Sequence, residues 1–201
     1  MYVPNHFCED DAEKLAALIE ENSFGVLVTV ADGRPFASHI PFLYDRATNV
    51  LRGHVARANP QWRHFSSGSD VMVLFQGPHG YISPSWYLSP GVPTWNYAAA
   101  HVYGSARALE EPSRVQAIVE GLTEKHERGN QPPWVPTYDP KMLNAIVGVE
   151  IAIKEVQGKF KLNQNRSAAD RAAVISKLVA SGSEADLALA KLMEEMKDRS
   201  P

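Results

Sequence analysis

The sequence predicts an α+β protein built on a small antiparallel β-barrel, and three observations support this prediction. Apolar, β-branched stretches recur along the chain between turn-forming residues, which is typical of strands in hairpin order. Amphipathic stretches with helical periodicity interrupt this series of strands. The chain of 201 residues is also long enough to bury one full core without disulfides or structural metal ions.

Periodicity and turn chemistry define the individual elements. Leu15, Leu18 and Ile19 recur at helical spacing, which predicts an amphipathic helix near the start of the chain. Asp32-Gly33 is a favoured hairpin dipeptide between two apolar stretches. The predicted helices cover residues 9–21, 60–65 and 112–128, and the predicted strands cover residues 24–30, 34–44, 50–55, 70–76, 94–109 and 148–156.

Glycine and proline set the expected limits of several strands. The GPHG stretch at residues 77–80 is expected to end the fourth strand, because glycine and proline interrupt regular pairing. Residues 81–93, which are rich in aromatic residues and proline, are expected to form an ordered loop. Gly104 is expected to introduce a bulge or kink in its strand.

The C-terminal part of the chain is rich in alanine and charged residues, unlike the strands before it. Capping-box patterns that begin at Ser167 and Ser183 predict two short helices there. We therefore expect a barrel domain at residues 1–166 and a helical extension at residues 167–201, packed on the barrel.

Composition and charge exclude several classes of protein. The net charge of -3, from 20 basic and 23 acidic residues, gives no electrostatic reason to expect nucleic acid as a direct ligand. The single cysteine, Cys8, cannot form an intrachain disulfide, which fits a reducing compartment. No apolar run approaches the roughly 20 residues of a membrane helix. These features predict a cytoplasmic protein with no membrane segment.

The most informative local segment is LRGHVARANPQW at residues 51–62, where a strand leads into a helix start. Asn59 suits the N-cap and Pro60 suits the first helical position. A helix start offers free backbone N–H groups and a positive dipole, and Arg57 adds a cation, so residues 53–59 suit a phosphate site. The same residues also fit an ordinary capped helix with a solvated arginine.

The histidines and the aromatic residues are weaker indications of a binding site than this segment. The seven histidines show no metal-ligating spacing, so no metal site is predicted. His39 and His54 lie on predicted strands, where they could flank a ligand or simply pack. Five aromatic residues within residues 81–97 suit either the pocket of a planar cofactor or packing at a core or dimer interface. They are Tyr81, Trp86, Tyr87, Trp95 and Tyr97.

Several sequence blocks together resemble a known family. The blocks are MYVPNHF, FGVLVT, ASHIPF, LRGHVARANPQW, FQGPHGYISPSWY, VPTWNYAAAHVYG and KFKLNQNR. In this order they are similar to the PaiB family, described as FMN-binding negative transcriptional regulators. The resemblance implies a split β-barrel that binds flavin mononucleotide (FMN), similar to pyridoxamine-phosphate oxidases and flavin reductases. It also implies a homodimer with a flavin site at each side of the interface.

The resemblance further implies which residues bind the cofactor. The flavin ring would be lined through the backbone of Ser38, His39, Ile40 and Pro41. The ribityl chain and phosphate would be held by His54, Val55, Ala56, Arg57 and Asn59. Three residues would approach from the partner chain, namely Trp95, Lys161 and Gln164. Asn163 stands where the family pattern has serine.

Two functions remain open, together with a third possibility for the cofactor. The family description implies a negative transcriptional regulator, and the alternative is an FMN-dependent oxidoreductase that transfers electrons or hydride. The sequence shows no helix-turn-helix pattern with a basic recognition helix, so direct DNA binding is not favoured. Another planar cofactor such as haem is the third possibility, with His39, His54, His79 or His101 as axial ligand.

Overall fold

The computed structural model describes residues 1–65, 70–136 and 139–196 and confirms the α+β class. The helices in this part of the chain are Ala12–Glu21 (α1), Pro112–Glu127 (α2), Ala168–Ser181 (α3) and Glu184–Glu195 (α4). The strands are Cys8–Glu9 (β1), Phe24–Ala31 (β2), Arg34–Pro41 (β3), Leu43–Asp45 (β4), Val50–Ala56 (β5), Asp70–Ile82 (β6), Thr94–Leu109 (β7) and Ile146–Lys161 (β8). Short 3₁₀ helices are Asn5–Phe7, Pro60–His64, Pro84–Trp86 and Pro140–Ala145.

The strands form one sheet in the order β3-β2-β6-β7-β8-β5-β4, and β1 pairs with β8. The pairings of β2 with β3 and β6, of β5 with β4 and β8, and of β1 with β8 are antiparallel. This is the antiparallel sheet of a split barrel. Long strands β6, β7 and β8 carry most of the sheet, and two of them were expected to be shorter.

The described residues divide into two compact units, each made from separate stretches of the chain. The first unit contains residues 1–18, 76–100 and 157–196, and the second unit contains residues 19–75 and 101–156. The expected boundary between residues 166 and 167 lies within the first unit, at the start of α3, and the expected domain organisation stays a prediction.

In the first unit, helices pack on glycines of the sheet. A Cβ atom on Gly77 or Gly158 would overlap a leucine side chain of α1, Leu18 or Leu15 respectively. A Cβ atom on Gly80 would lie 2.9 Å from Leu189 Cδ2 of α4. The glycines therefore allow helices to approach the strands more closely than any side chain would permit.

These contacts explain why the expectation for residues 77–80 is wrong. The strand does not end at Gln76 but continues through GPHG to Ile82. Gly77 and Gly80 are required for helix packing rather than for a turn. Sequence alone does not distinguish these two uses of glycine, because the close approach comes from segments far away in the chain.

The second unit is organised around the β2–β3 hairpin. Asp32 and Gly33 have φ angles of 52° and 73°, so the two-residue connection has the type I′ conformation that the dipeptide favours, as predicted. Phe42 and Phe75 pack edge to face with their ring centroids 5.7 Å apart. The apolar face of α2 packs against β4 and the end of β7 through Ile118 and Leu122, together with Leu43 and Leu109.

Strand β7 has the predicted limits and runs without interruption through Gly104. A Cβ atom at this position would overlap the carbonyl oxygen of Ala152 on β8. Gly104 therefore permits a close approach of two strands. Strand β8 is longer than predicted, because it begins at Ile146 and continues to Lys161.

Candidate functional site

Residues Ser38 to Pro41 lie on β3, which occupies one end of the strand order in the described sheet. One side of β3 pairs with β2, whereas the other side has no strand partner in that order. An edge strand presents N–H and C=O groups that can bind a ligand. The polar rim of a flavin ring requires donors and acceptors of this kind.

Strands β3 and β5 approach each other in the second unit at the predicted phosphate segment. The side chain of Asn59 donates a hydrogen bond to Ser38 Oγ over 2.9 Å. A Cβ atom on Gly53 would lie 2.8 Å from the carbonyl oxygen of Pro41, so only glycine fits there. The two segments that the resemblance assigns to the flavin are therefore neighbours in space.

Asn59 caps the helix that follows it, as predicted. Its side chain accepts a hydrogen bond from Gln61 N over 3.0 Å, and Pro60 occupies the first position. The helix is a 3₁₀ helix of five residues, however, so its dipole is weak. The backbone N–H groups of Arg57 and Asn59 donate to Ala145 O and Ala56 O. A phosphate at this segment would therefore depend on side chains more than on free backbone groups.

Arg57 is half-exposed and makes three contacts within its own unit. Its Nε donates to Asn144 O over 2.7 Å, and its Nη2 donates to Ile146 O over 3.2 Å. Its Nη1 forms an ion pair with Glu110 Oε2 over 2.6 Å. A guanidinium group has five N–H donors, so two remain for a phosphate, which would also compete with the Glu110 carboxylate.

Gln61 positions the phosphate segment, residues 53–59, from the buried side of the 3₁₀ helix. The sequence alone did not identify this residue as part of the site. This side chain is fully buried, and the two N–H donors of its Nε2 are shared among Leu27 O, Thr29 Oγ1 and Phe36 O over 2.9 to 3.2 Å. These bonds fix the start of the 3₁₀ helix on the β2–β3 hairpin. A glutamine directly after the Asn-Pro cap, within a block shared with the family, is the sequence signal that could have identified it.

His54 lies on β5 with a buried Nδ1 atom that has no hydrogen-bond partner among the described residues. Burial lowers the pKa of its imidazole, so the ring is neutral at pH 7. A neutral imidazole with a buried unpartnered nitrogen is suited to a polar group of a ligand. His39 and Ala56 are exposed, whereas Val55 is buried and pairs with Val147 of β8.

A buried carboxylate stabilises the strands beside this segment. Glu150 on β8 accepts hydrogen bonds from Arg52 Nε over 2.8 Å and from Arg107 Nε over 2.7 Å. Arg114 of α2 lies 3.3 Å from the same carboxylate. Burial acts to raise the pKa of Glu150, but the hydrogen bonds from Arg52 and Arg107 outweigh it and hold the pKa below its usual value.

The three residues expected to come from the partner chain all lie in the first unit. Trp95 is 55% exposed, and Lys161 donates a hydrogen bond to the carbonyl oxygen of Trp95 over 2.6 Å. Gln164 is buried, and its amide bonds the backbone of Phe160 and Leu162 at the turn after β8. Their roles toward a flavin stay predictions.

The aromatic block divides into packing and exposed residues. Tyr87 is buried, and the guanidinium of Arg166 lies 4.3 Å from its ring centroid. Tyr81 and Trp95 are both about half-exposed and lie with ring centroids 6.2 Å apart. Asn163, at the position of the family's serine, has a φ of 64° and donates to Tyr87 Oη. Asparagine tolerates this left-handed conformation, which explains its presence there.

A surface cavity of about 730 Å³ lies elsewhere in the second unit, between α2 and residues 130–136. Its lining includes the carboxylates of Glu120, Glu124 and Glu127. These negative charges would repel a phosphate dianion, so this cavity does not suit FMN. The β3 and β5 segments fit FMN better. They offer an edge strand, two unused guanidinium donors of Arg57 and the unpartnered imidazole nitrogen of His54.

Comparisons with known proteins show the family of this chain. The sequence matches the family described as "Putative FMN-binding domain" over residues 1–155. It is similar to "Protease synthase and sporulation protein PAI 2" of Bacillus subtilis, with 38% identity over 97% of each chain. An uncharacterized protein of Emericella nidulans is 31% identical over 99% of this chain and 100% of its own length.

Solved structures share the fold at low identity. The flavocytochrome Anf3 of Azotobacter vinelandii has a TM-score of 0.64 and 15% identity, over 79% of this chain and 72% of its own. An FAD- and haem-binding protein of Mycobacterium smegmatis has a TM-score of 0.63 and 19% identity, over 88% and 80%. The split-barrel fold and the match to an FMN-binding family together define a flavin-binding split-barrel protein. The chain belongs to the PaiB family of FMN-binding proteins, and FMN is its cofactor.

In the described part of the chain, no helix combines the length and apolar character that crossing a membrane requires.

Proposed function

We propose that the chain is a homodimeric FMN-dependent redox protein whose cofactor lies along β3 and the β5 segment. The observation that carries this proposal is the Asn59 to Ser38 hydrogen bond, which holds the phosphate segment beside the edge strand. When bound, FMN supplies electron or hydride transfer, and the protein supplies binding, orientation and electrostatics.

Each residue of the site has a proposed task. The backbone of Ser38 to Pro41 binds the polar rim of the ring, and His54 offers its neutral imidazole to the ribityl chain. Arg57 binds the phosphate with the two N–H donors that its own chain does not use. Trp95, Lys161 and Gln164 would reach the flavin from the partner subunit.

An apolar face in the second unit supports the homodimer. On β2 one set of alternate residues faces the core, but the opposite set is also apolar, as are the outward residues Met72 and Leu74 of β6. Phe24 and Val30 of this outward set are 66% and 64% exposed, and the members between them are half-buried. We call this set the β2–β6 outer face. Its residues are Phe24, Val26, Val28, Val30, Met72 and Leu74. Contiguous apolar surface of this kind is typical of subunit interfaces.

Titration of the FMN-free protein with FMN tests the site. Arg57→Ala should weaken FMN binding by about 1.5 to 3 kcal/mol, which is the worth of a charge-assisted hydrogen bond. Glu110→Gln is the matched control, since it breaks the same ion pair but leaves every guanidinium donor in place. It should bind FMN at least as tightly as the wild type. Equal weakening in both variants would show that the ion pair, rather than a phosphate contact, matters.

Anaerobic addition of NADH or NADPH to FMN-loaded protein tests the redox activity. Bleaching of the flavin absorbance with either donor is the expected result, because nicotinamides are common hydride donors to flavins. The absence of bleaching with both donors would exclude a nicotinamide-dependent reductase.

Negative transcriptional regulation is the second candidate, and the Bacillus subtilis relative, which is named a protease synthase and sporulation protein, supports it. The exposed charges on the described parts of α3 and α4 are mixed: Lys177 and Lys191 stand against Glu184, Glu194 and Glu195. Regulation would then act through the flavin or a partner rather than through a basic recognition helix.

A mobility-shift assay with and without FMN tests direct DNA binding. The protein should not retard the DNA in either condition, and retardation would instead support direct repression. The cytoplasmic location expected from the single cysteine is part of this proposal.

A further inference from the structure

One face of the first unit combines exposed aromatic rings with two lysines. Alternate residues on the ends of three strands point away from the helices that pack on Gly77, Gly80 and Gly158. We call this set the lysine–aromatic face. Its residues are His79 and Tyr81 on β6, Trp95 and Tyr97 on β7, and Lys159 and Lys161 on β8.

Lys159 is only 9% exposed, yet no carboxylate of the described residues forms an ion pair with it. Its ammonium group donates to the carbonyl oxygen of Tyr2 over 3.0 Å. It also lies 5.5 Å and 5.4 Å from the ring centroids of Tyr2 and Tyr97. Aromatic faces and one carbonyl stabilise the charge without neutralising it. Buried lysines usually have an anionic partner, so this charge requires an explanation.

Lys161 repeats the pattern on the same face. Its ammonium group donates to Thr94 Oγ1 and Trp95 O and lies 5.8 Å from the Phe7 ring centroid, again without a carboxylate partner in the described part of the chain. Burial lowers the pKa of Lys161, and the charge of Lys159 lowers it further. The two ammonium groups therefore repel each other, and an anion between them would relieve this repulsion.

Aromatic side chains next to these two lysines provide a flat surface for the ring of a ligand. The rings of Trp95 and His79 are nearly parallel, with centroids 6.5 Å apart, and Tyr81 meets Trp95 edge to face. Trp95 is held in place through its carbonyl oxygen by Lys161. An exposed aromatic surface beside cationic groups suits a planar ring that carries a negative charge.

We propose that the lysine–aromatic face binds an aromatic or heteroaromatic molecule with a phosphate or carboxylate group. The ring packs against Trp95, and the anionic group binds between Lys159 and Lys161. This binding does not rest on the proposed function.

Isothermal titration calorimetry with phenyl phosphate tests the binding. Phenol, which lacks the negative charge, and inorganic phosphate, which lacks the ring, are the comparison probes. Phenyl phosphate should bind more tightly than either. Lys159→Met and Lys161→Met should each weaken its binding about ten-fold or more, and Lys159→Arg should retain most of it. Trp95→Ala should weaken it about five-fold or more, and because Trp95 is exposed this variant should fold normally.

Lys191→Met is the matched control, because Lys191 belongs to the same unit but lies on the exposed side of α4, in an i, i+4 pair with Glu195. Its affinity for phenyl phosphate should equal that of the wild type. Equal affinity of the wild type for phenol and phenyl phosphate would overturn the proposal, as would unchanged binding in both lysine-to-methionine variants. FMN binding is followed separately by flavin absorbance, so lysine-dependent binding of phenyl phosphate supports the face even if FMN binds elsewhere.

Discussion

At the scale of single residues, the buried carboxylate of Glu150 pairs with three arginines from different elements. Glu150 collects arginines from β5, β7 and α2, and two of its partners keep more than 40% of their side chains exposed. A half-exposed arginine contributes less than a buried one, because water screens its charge. The loss of the carboxylate would still leave three cations close together with no counter-charge.

Glu150→Gln should therefore destabilise the fold by about 1 to 3 kcal/mol at pH 7, below the 3 to 5 kcal/mol of a fully buried pair. The folded pKa of Glu150 is lowered, so its contribution is complete above the ordinary value of 4.5 and is lost as the pH falls through the lowered pKa. Urea unfolding of both proteins between pH 3 and pH 7 should show a stability difference that shrinks at the acidic end. A difference that is constant across this range would assign the effect to packing instead of charge.

The same scale shows what sequence reasoning can and cannot find in the site. Asn59 and Pro60 were predicted as cap and first helical residue because capping is a local matter. The partners of Arg57 were not predictable, since Asn144, Ile146 and Glu110 are distant in sequence. The burial of Lys159 was also not predictable, because a buried lysine without a carboxylate partner is visible only once the strands are assembled.

At the scale of elements, local chemistry predicted most strands and helices, and tertiary contacts decided their lengths. The hairpin turn at Asp32-Gly33 and the limits of β7 were predicted correctly. Strand β6 exceeded its prediction because the glycines of GPHG make room for helices, a contact that the local sequence does not encode. Glycine within a strand is ambiguous for this reason.

Gly104→Ala tests this interpretation of strand glycines. The new methyl group would overlap the backbone of Ala152, which cannot rotate away as a side chain can, so the free energy of unfolding should fall by about 1 to 3 kcal/mol. Gly129→Ala is the control, because no atom lies within 4 Å of its added methyl group. Chemical denaturation should show this control as stable as the wild type. A Gly104→Ala protein of normal stability would mean that β7 and β8 can move apart to make room for the methyl group without a loss in the free energy of unfolding.

At the scale of the whole molecule, the proposed homodimer depends on the β2–β6 outer face. Val28→Glu should yield monomers in size-exclusion chromatography with light scattering, because a carboxylate at the centre of an apolar interface would lose its hydration without a partner. Val179→Glu, on an exposed position of α3, should leave the wild-type mass unchanged. A wild-type protein that elutes as a monomer would contradict the dimer directly.

The two compact units are assembled from interleaved stretches, and the chain passes between them at residues 18/19, 75/76, 100/101 and 156/157. A truncation that extends beyond residue 18 from the N-terminal end, or beyond residue 157 from the C-terminal end, therefore removes parts of both units. Neither unit corresponds to a contiguous stretch of its gene, so neither could be gained, lost or exchanged by one recombination event.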